Sequence, residues 1–277
     1  MNIKLLNKSF LIIIFILSLF PIWIMFSGSL MDIKGFLAIP PKLFPTNPTL
    51  LNFQSILKDP IIWIWGRNSL LIVSGTVFIS VSISLFGGYA FALSKKSKKK
   101  EILWTILLSA LLFPRISILI PQYVLLSKMN LSGSILGVIL PCVYTPVGLF
   151  ISRKFFESVP VAIIESAKVD GASDLRILIN IIIPLTKPLV SVLALFSALG
   201  ALQDYIWQML VLQKTERQTL LVGLMRLAMK RGGDVELGIN PIGRYLTVGV
   251  ILLFPLLVLF LIANKYFVSA LEGAVKE

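Results

Sequence analysis

Histidine is absent from the 277 residues, and cysteine occurs once, at Cys142. The first absence excludes proton relays and metal centres built on imidazole. The second excludes an internal disulfide, and the apolar stretch around Cys142 reads as a setting for a small buried residue. Charge is scarce: only 14% of residues are Asp, Glu, Lys or Arg, and the acids number 13 against 26 bases. No G-x-x-x-x-G-K-[ST] loop is present, so nucleotide hydrolysis is not expected in this chain. Clustered nucleophiles and metal ligands are missing as well, which argues against a membrane-embedded enzyme and implies no cofactor.

What fills the chain instead is apolar surface. Hydrophobic residues make up 57% of it, and the mean hydropathy is +0.92. A soluble globule keeps a large shell in water and cannot hide that much apolar surface, whereas a bilayer removes the need. The net charge of +13 would suggest nucleic acid in a soluble protein. Here the basic residues flank apolar runs, so anionic lipid headgroups are the expected partner and nucleic acid is not.

A membrane span needs about 20 apolar residues. Six segments meet that need: 9–30, 68–93, 102–126 with Pro114 and Arg115 inside it, 131–152, 189–212 containing Asp204, and 245–263. The expected fold class is therefore an all-α integral membrane protein with six transmembrane helices. Lys4 and Lys8 before the first run suggest a signal peptide. That run is too long for one and contains Pro21 and Trp23, so a retained signal-anchor helix is expected. Lys95, Lys96, Lys98, Lys99 and Lys100 crowd a very short loop between two spans. Read as a cytoplasmic topology signal touching lipid phosphates, they place both chain ends in the cytoplasm. The stretches 31–67 and 213–244 are then external loops, and 153–188 is the one long cytoplasmic loop.

That cytoplasmic loop reads as two short helices with a bend between them. Ser158 is placed to cap the first and Pro160 to sit in its first turn. Gly171 can end it in the left-handed conformation. Ser173 can cap the second, with Asp174 favouring its dipole, and Pro184 is expected to end it. Small residues at Ser166, Ala167, Gly171 and Ala172 would let another protein approach closely.

The spacing Glu165-Ser166-Ala167, three residues, Gly171, nine residues, Ile181-Ile182-Ile183-Pro184 resembles the EAA loop of ABC importer permeases. It departs from that pattern at Ser166, where the family has Ala, and at Ile183, where it has Leu. Asp170-Gly171-Ala172 fits the family's Asp-Gly-Ala. Phe113-Pro114-Arg115, Ile120-Pro121, the run 123–128, Asp204-Tyr205-Ile206-Trp207 and the ending from Lys265 to Lys276 are similar to carbohydrate permeases of the maltose-transporter type. Leu202, Gln203 and Gln208 depart from the family's Trp-Asn-Asp/Glu-Phe-x-Trp-Pro pattern.

The resemblance implies a type I ABC importer permease fold in the bacterial cell membrane. Residues 1–67 would form the signal-anchor helix and an external loop, 68–268 the transmembrane core with its coupling loop 153–188, and 269–277 a cytoplasmic tail. It implies a second permease subunit, identical or different, an ABC ATPase dimer gripping Glu165, Ser166, Ala167, Asp170, Gly171, Ile181 and Pro184, and an extracytoplasmic substrate-binding protein. Glu165 would pair with a basic residue of the ATPase, and Gly171 would set the bend.

Three residues within spans have two readings each. Arg115 and Asp204, as intramembrane charges, are candidates for the translocation path, with Arg115 alternatively snorkelling to the outer surface. A direct pair between them is the less expected arrangement. Trp207 would stack on a sugar ring or anchor at the membrane interface. The small polar face formed by Ser74, Gly75, Ser80, Ser82, Ser84, Gly87 and Gly88 suits close helix packing better than pore lining. The rival to an importer subunit is a self-contained secondary transporter. The missing inverted repeats and the few intramembrane ionisable groups count against it.

Overall fold

The computed structural model describes residues 3–36, 42–93, 97–229 and 240–275, and every regular element among them is helical. Lys95 and Lys96, residues 230–239 and the last two residues lie outside the described part. Of residues 262–277 only the helical backbone, up to Val275, is described.

Three helices are long and apolar enough to cross a bilayer in one stroke: 10–29 within Ile3–Ser29, Ile61–Leu93, and 242–261 within Pro241–Val275. Three further apolar segments are bent pairs: Lys98–Leu112 with Arg115–Lys128 at 105°, Ile135–Cys142 with Pro146–Glu157 at 48°, and Asp174–Leu185 with Lys187–Gln203 at 85°. The described residues thus offer three to six candidate spans. The third and fourth spans read from the sequence, 102–126 and 131–152, are each bent within their length. Proline is the cause in both. Phe113 and Thr145 precede Pro114 and Pro146 and are both extended, because the proline ring excludes the helical conformation at the residue before it.

The chain divides into two compact units. The first joins residues 1–64 to 220–257. Its centre is Asn52, buried in the Leu51–Leu57 helix, whose amide donates to the Ser29 and Met31 carbonyls at 2.9 and 3.1 Å. Its side-chain oxygen accepts from the Asn240 backbone N–H at 3.3 Å. One side chain thus satisfies two carbonyls left over where the first helix ends, which a buried helix terminus requires. Within the stretch expected to be a plain external loop, Leu220–Met229 is a helix with Val222, Leu224 and Ala228 buried.

The second unit comprises 65–219 and 258–277. One core cluster gathers Val81, Leu85 and Tyr89 with Phe156, Ile164, Ala167, Ile177, Leu178, Ile182, Leu189 and Leu193. A second gathers Ile72, Leu126, Val138, Ile139, Trp207, Val211 and Leu212. Most of the small polar face on Ile61–Leu93 works as the packing reading requires, with Gly75 close to Ile139 and Gly87 to Leu149. The Ser80 hydroxyl bonds with Ser197 at 3.0 Å, and Ser80 and Ser84 each lie 3.4 Å from the Thr145 hydroxyl. A side chain at Gly88 would collide with Ser152 and the Arg153 backbone, so glycine sets that close approach. Ser74 and Ser82 instead bond to carbonyls of their own helix.

Candidate functional site: a glycine-bent elbow and an ion pair

The chain leaves the Pro146–Glu157 helix through Ser158. Ser158 does not cap the following helix, as its position suggested. Its hydroxyl donates back to the Phe155 carbonyl at 2.7 Å, and Pro160 stands at the next N-terminus without a side-chain cap. Pro160 has no N–H and a fixed φ, so it starts a helix unaided.

Val161–Val169 then runs until Asp170 caps it, and Gly171 turns left-handed at φ 79°. The Ala172 N–H donates to the Ala167 carbonyl and the Gly171 N–H to the Lys168 carbonyl, both at 3.0 Å. This crossed pair is the Schellman arrangement, which satisfies carbonyls at a helix end and demands a residue comfortable at positive φ. The second helix opens as the sequence implies. Ser173 accepts from the Arg176 N–H at 3.4 Å, and Asp174 lies in the first turn. A Lys168–Asp174 contact at 3.0 Å crosses the bend between exposed side chains and adds little. Pro184 does not end this helix. A π turn at Leu178–Ile182 and a last turn at Ile183–Leu185 carry it to Thr186, where the chain bends.

The elbow has two faces. Ile164, Ala167, Ile177, Leu178 and Ile182 root it in the first core cluster of its unit, with Ile181 half-buried beside them. Glu165, Ser166, Asp170, Gly171 and Pro184 are exposed, and Val169 is 88% exposed. Ala162, Glu165, Ser166, Val169 and Asp170 line a shallow hollow of about 450 Å³. Among the described residues Glu165 makes no ion pair. The root of the preceding helix is braced: Arg153 lies 4.4 Å over the Trp104 ring and contacts Glu101 at 3.4 Å and Glu157 at 2.8 Å. Lys154 also contacts Glu157, at 2.9 Å.

Arg115 and Asp204 meet, which corrects the expectation that they would not. Arg115 Nη2 donates to Asp204 Oδ2 at 2.6 Å and to Cys142 Sγ at 3.1 Å, and the Cys142 thiol lies 3.6 Å from the same Asp204 oxygen. The arginine side chain is 57% exposed and the aspartate 12%. Cys142 is thus the third member of a polar cluster rather than an inert apolar filler. Trp207 is 2% exposed within the second core cluster, which leaves no open ring face for a sugar.

Asp204 is the break between the helices Lys187–Gln203 and Tyr205–Val211. Gln208, which departs from the resembled pattern, repairs that break. Its amide donates to the Ala201 carbonyl at 2.5 Å and its oxygen accepts from the Thr219 hydroxyl at 2.6 Å. Replacing it with leucine orphans that buried carbonyl at a cost of about 1–3 kcal/mol. Gln208→Leu is expected to lower the thermal midpoint of the detergent-solubilised protein, as followed by loss of monodispersity on heating. An unchanged midpoint would refute the repair.

No family model matches the chain. Among curated proteins, the galactooligosaccharides transport system permease protein GanQ of Bacillus subtilis is 31% identical over 243 residues, covering 85% of this chain and 82% of its own length. The arabinooligosaccharides transport system permease protein AraQ of the same organism is 28% identical over 272 residues, covering 96% and 94%. The sn-glycerol-3-phosphate transport system permease protein UgpE of Escherichia coli K12 is 23% identical over 264 residues, covering 93% and 92%. The fold is also that of a chain in the crystal structure of a bacterial ABC transporter involved in the import of the acidic polysaccharide alginate. The TM-score there is 0.82 at 22% identity, with 95% of this chain and 96% of that one covered.

Proposed function

This chain belongs to the family of permease subunits of carbohydrate ABC importers, and on that premise we propose that its elbow is the handle through which a separate ATPase drives it. It is a translocation subunit, and ATP hydrolysis lies with another chain. In this reading it crosses the bacterial cell membrane six times, counting each bent pair as one span, with both ends cytoplasmic. It forms half of a pore with a second permease subunit, and an external binding protein delivers a sugar or oligosaccharide. Glu165, Ser166, Ala167, Asp170, Gly171, Ile181 and Pro184 form the coupling elbow, with Glu165 pairing a basic residue of the ATPase. Arg115 and Asp204 line the path, where a guanidinium donor and a carboxylate acceptor suit sugar hydroxyls. Trp207 supports them from the core.

The observation that carries this reading is the two-faced elbow. Its inner side is rooted in the packed core, while its outer side presents an acid and a bare valine. Val169, 88% exposed, borders the hollow with Glu165, where a partner's surface would cover it. Rooted as it is, a push on the outer face moves packed helices rather than a loose loop, as a two-state element requires.

Purification from membranes in mild detergent tests this. An ABC ATPase should accompany the chain and be lost on Glu165→Lys, with ATP-dependent uptake lost as well. Ion-driven uptake by the purified chain alone, with no ATPase attached, would instead establish a secondary transporter.

A further inference from the structure

Three interruptions of helical backbone meet at one point of the second unit. Arg115 is the first helical residue after the Phe113-Pro114 break. Cys142 is the last residue before the break that ends at Thr145. Asp204, at φ −78° and ψ 70°, is itself the break between Lys187–Gln203 and Tyr205–Val211. Among the described residues, the side chains of these three bond to one another: Arg115 to both partners, and the thiol to the carboxylate.

Each break frees backbone groups in an apolar segment, a cost tolerated where the chain is packed on protein or lines a wet cavity. Two of the breaks also carry an ionised side chain, which adds a further cost at membrane depth. Bonds that join breakpoints rather than helix middles have a mechanical consequence. A change of bend at any one break pulls on all of the contacts in the cluster. The exposure of Arg115, 57%, shows that the cluster lies at a surface of the chain and is not sealed in its core. It can therefore exchange its partners without unpacking Trp207, Val211 and their neighbours.

We propose that Arg115, Cys142 and Asp204 form a releasable clasp. It holds the three breaks in the conformation described here, and it lets go when the pore changes its access. This rests on the reading of the chain as the membrane half of an ATP-driven importer.

Cys142 is the chain's own reporter, because it is its only cysteine. The assembled transporter, purified with its ATPase, is treated with N-ethylmaleimide, and alkylation of the Cys142 peptide is timed by mass spectrometry. The comparison is between the nucleotide-free state and the state trapped with ATP and orthovanadate. Release of the thiol from its charged neighbours should change the rate by about tenfold between the two states. Asp204→Asn and Arg115→Gln should each remove the difference, so that the two states label at one rate. The two-state comparison in the unaltered protein stands even where a variant folds poorly. Equal rates in a transporter whose ATPase is demonstrably trapped overturn the clasp and leave the importer reading intact. Failure of any ATPase to accompany the chain overturns the importer reading, and the clasp with it.

Discussion

Gly171→Pro is expected to reduce ATP-driven uptake to background while the chain still inserts in the membrane. Two properties of the bend produce this. The residue sits at φ 79°, whereas proline is locked near about −65°. Its N–H closes the bend by donating to Lys168, and proline has no N–H to give. The elbow therefore cannot form, although the long helices do not depend on it for insertion. Gly171→Ala separates conformation from bulk. A Cβ at this position meets nothing within 4 Å, so the only penalty is the left-handed conformation, about 1–2 kcal/mol. Alanine should leave measurable uptake, roughly a thirtieth to a fifth of the original by the usual conversion. Uptake in vesicles, together with the amount of ATPase retained on purification, checks the series. Equal effects of alanine and proline would mean that the glycine serves contact rather than conformation.

The second large effect is expected at the ion pair. Asp204→Lys sets two cations against each other where a 2.6 Å bond stood. Breaking a buried pair costs about 3–5 kcal/mol. The exposure of Arg115 puts this case at the lower end, so about a hundredfold loss in uptake or assembled protein follows. The double reversal Arg115→Asp with Asp204→Lys restores opposite charges across the same gap and should recover at least about tenfold of that loss. No recovery in the double variant, with protein present at normal levels, would show that the two residues act separately.

The difference between these sites is also the difference in what the sequence allowed to be read. The elbow was legible because its determinants are local. Gly171, Ser173 and Asp174 each act on backbone within a few residues, so their spacing encodes their geometry. Ser158 misled for an equally local reason, since Pro160 starts its helix without help and leaves the serine free to bond backward. Pro184 misled because a π turn lets the helix run through it to Thr186. The ion pair was not legible: its partners are 89 positions apart, and hydropathy says only that each charge needs company. Trp207 and Gln208 were hidden by the same limit. A tryptophan in an apolar run is compatible with core, interface or ligand, and only the fold chooses. The helix break at Asp204 carries no proline to announce it, and the glutamine that mends it is recognisable only once the break is seen.

The central claim is that the glycine-bent elbow faces the cytoplasm and is covered there by an ATPase. Ser166, exposed on its outer face, can be changed to cysteine in a chain whose Cys142 is replaced by serine, then treated with a membrane-impermeant maleimide in vesicles of both orientations. Labelling only in inside-out vesicles, suppressed when the ATPase is bound and restored when it is stripped, is the predicted result. Labelling from the external side, or labelling indifferent to the ATPase, would contradict the account.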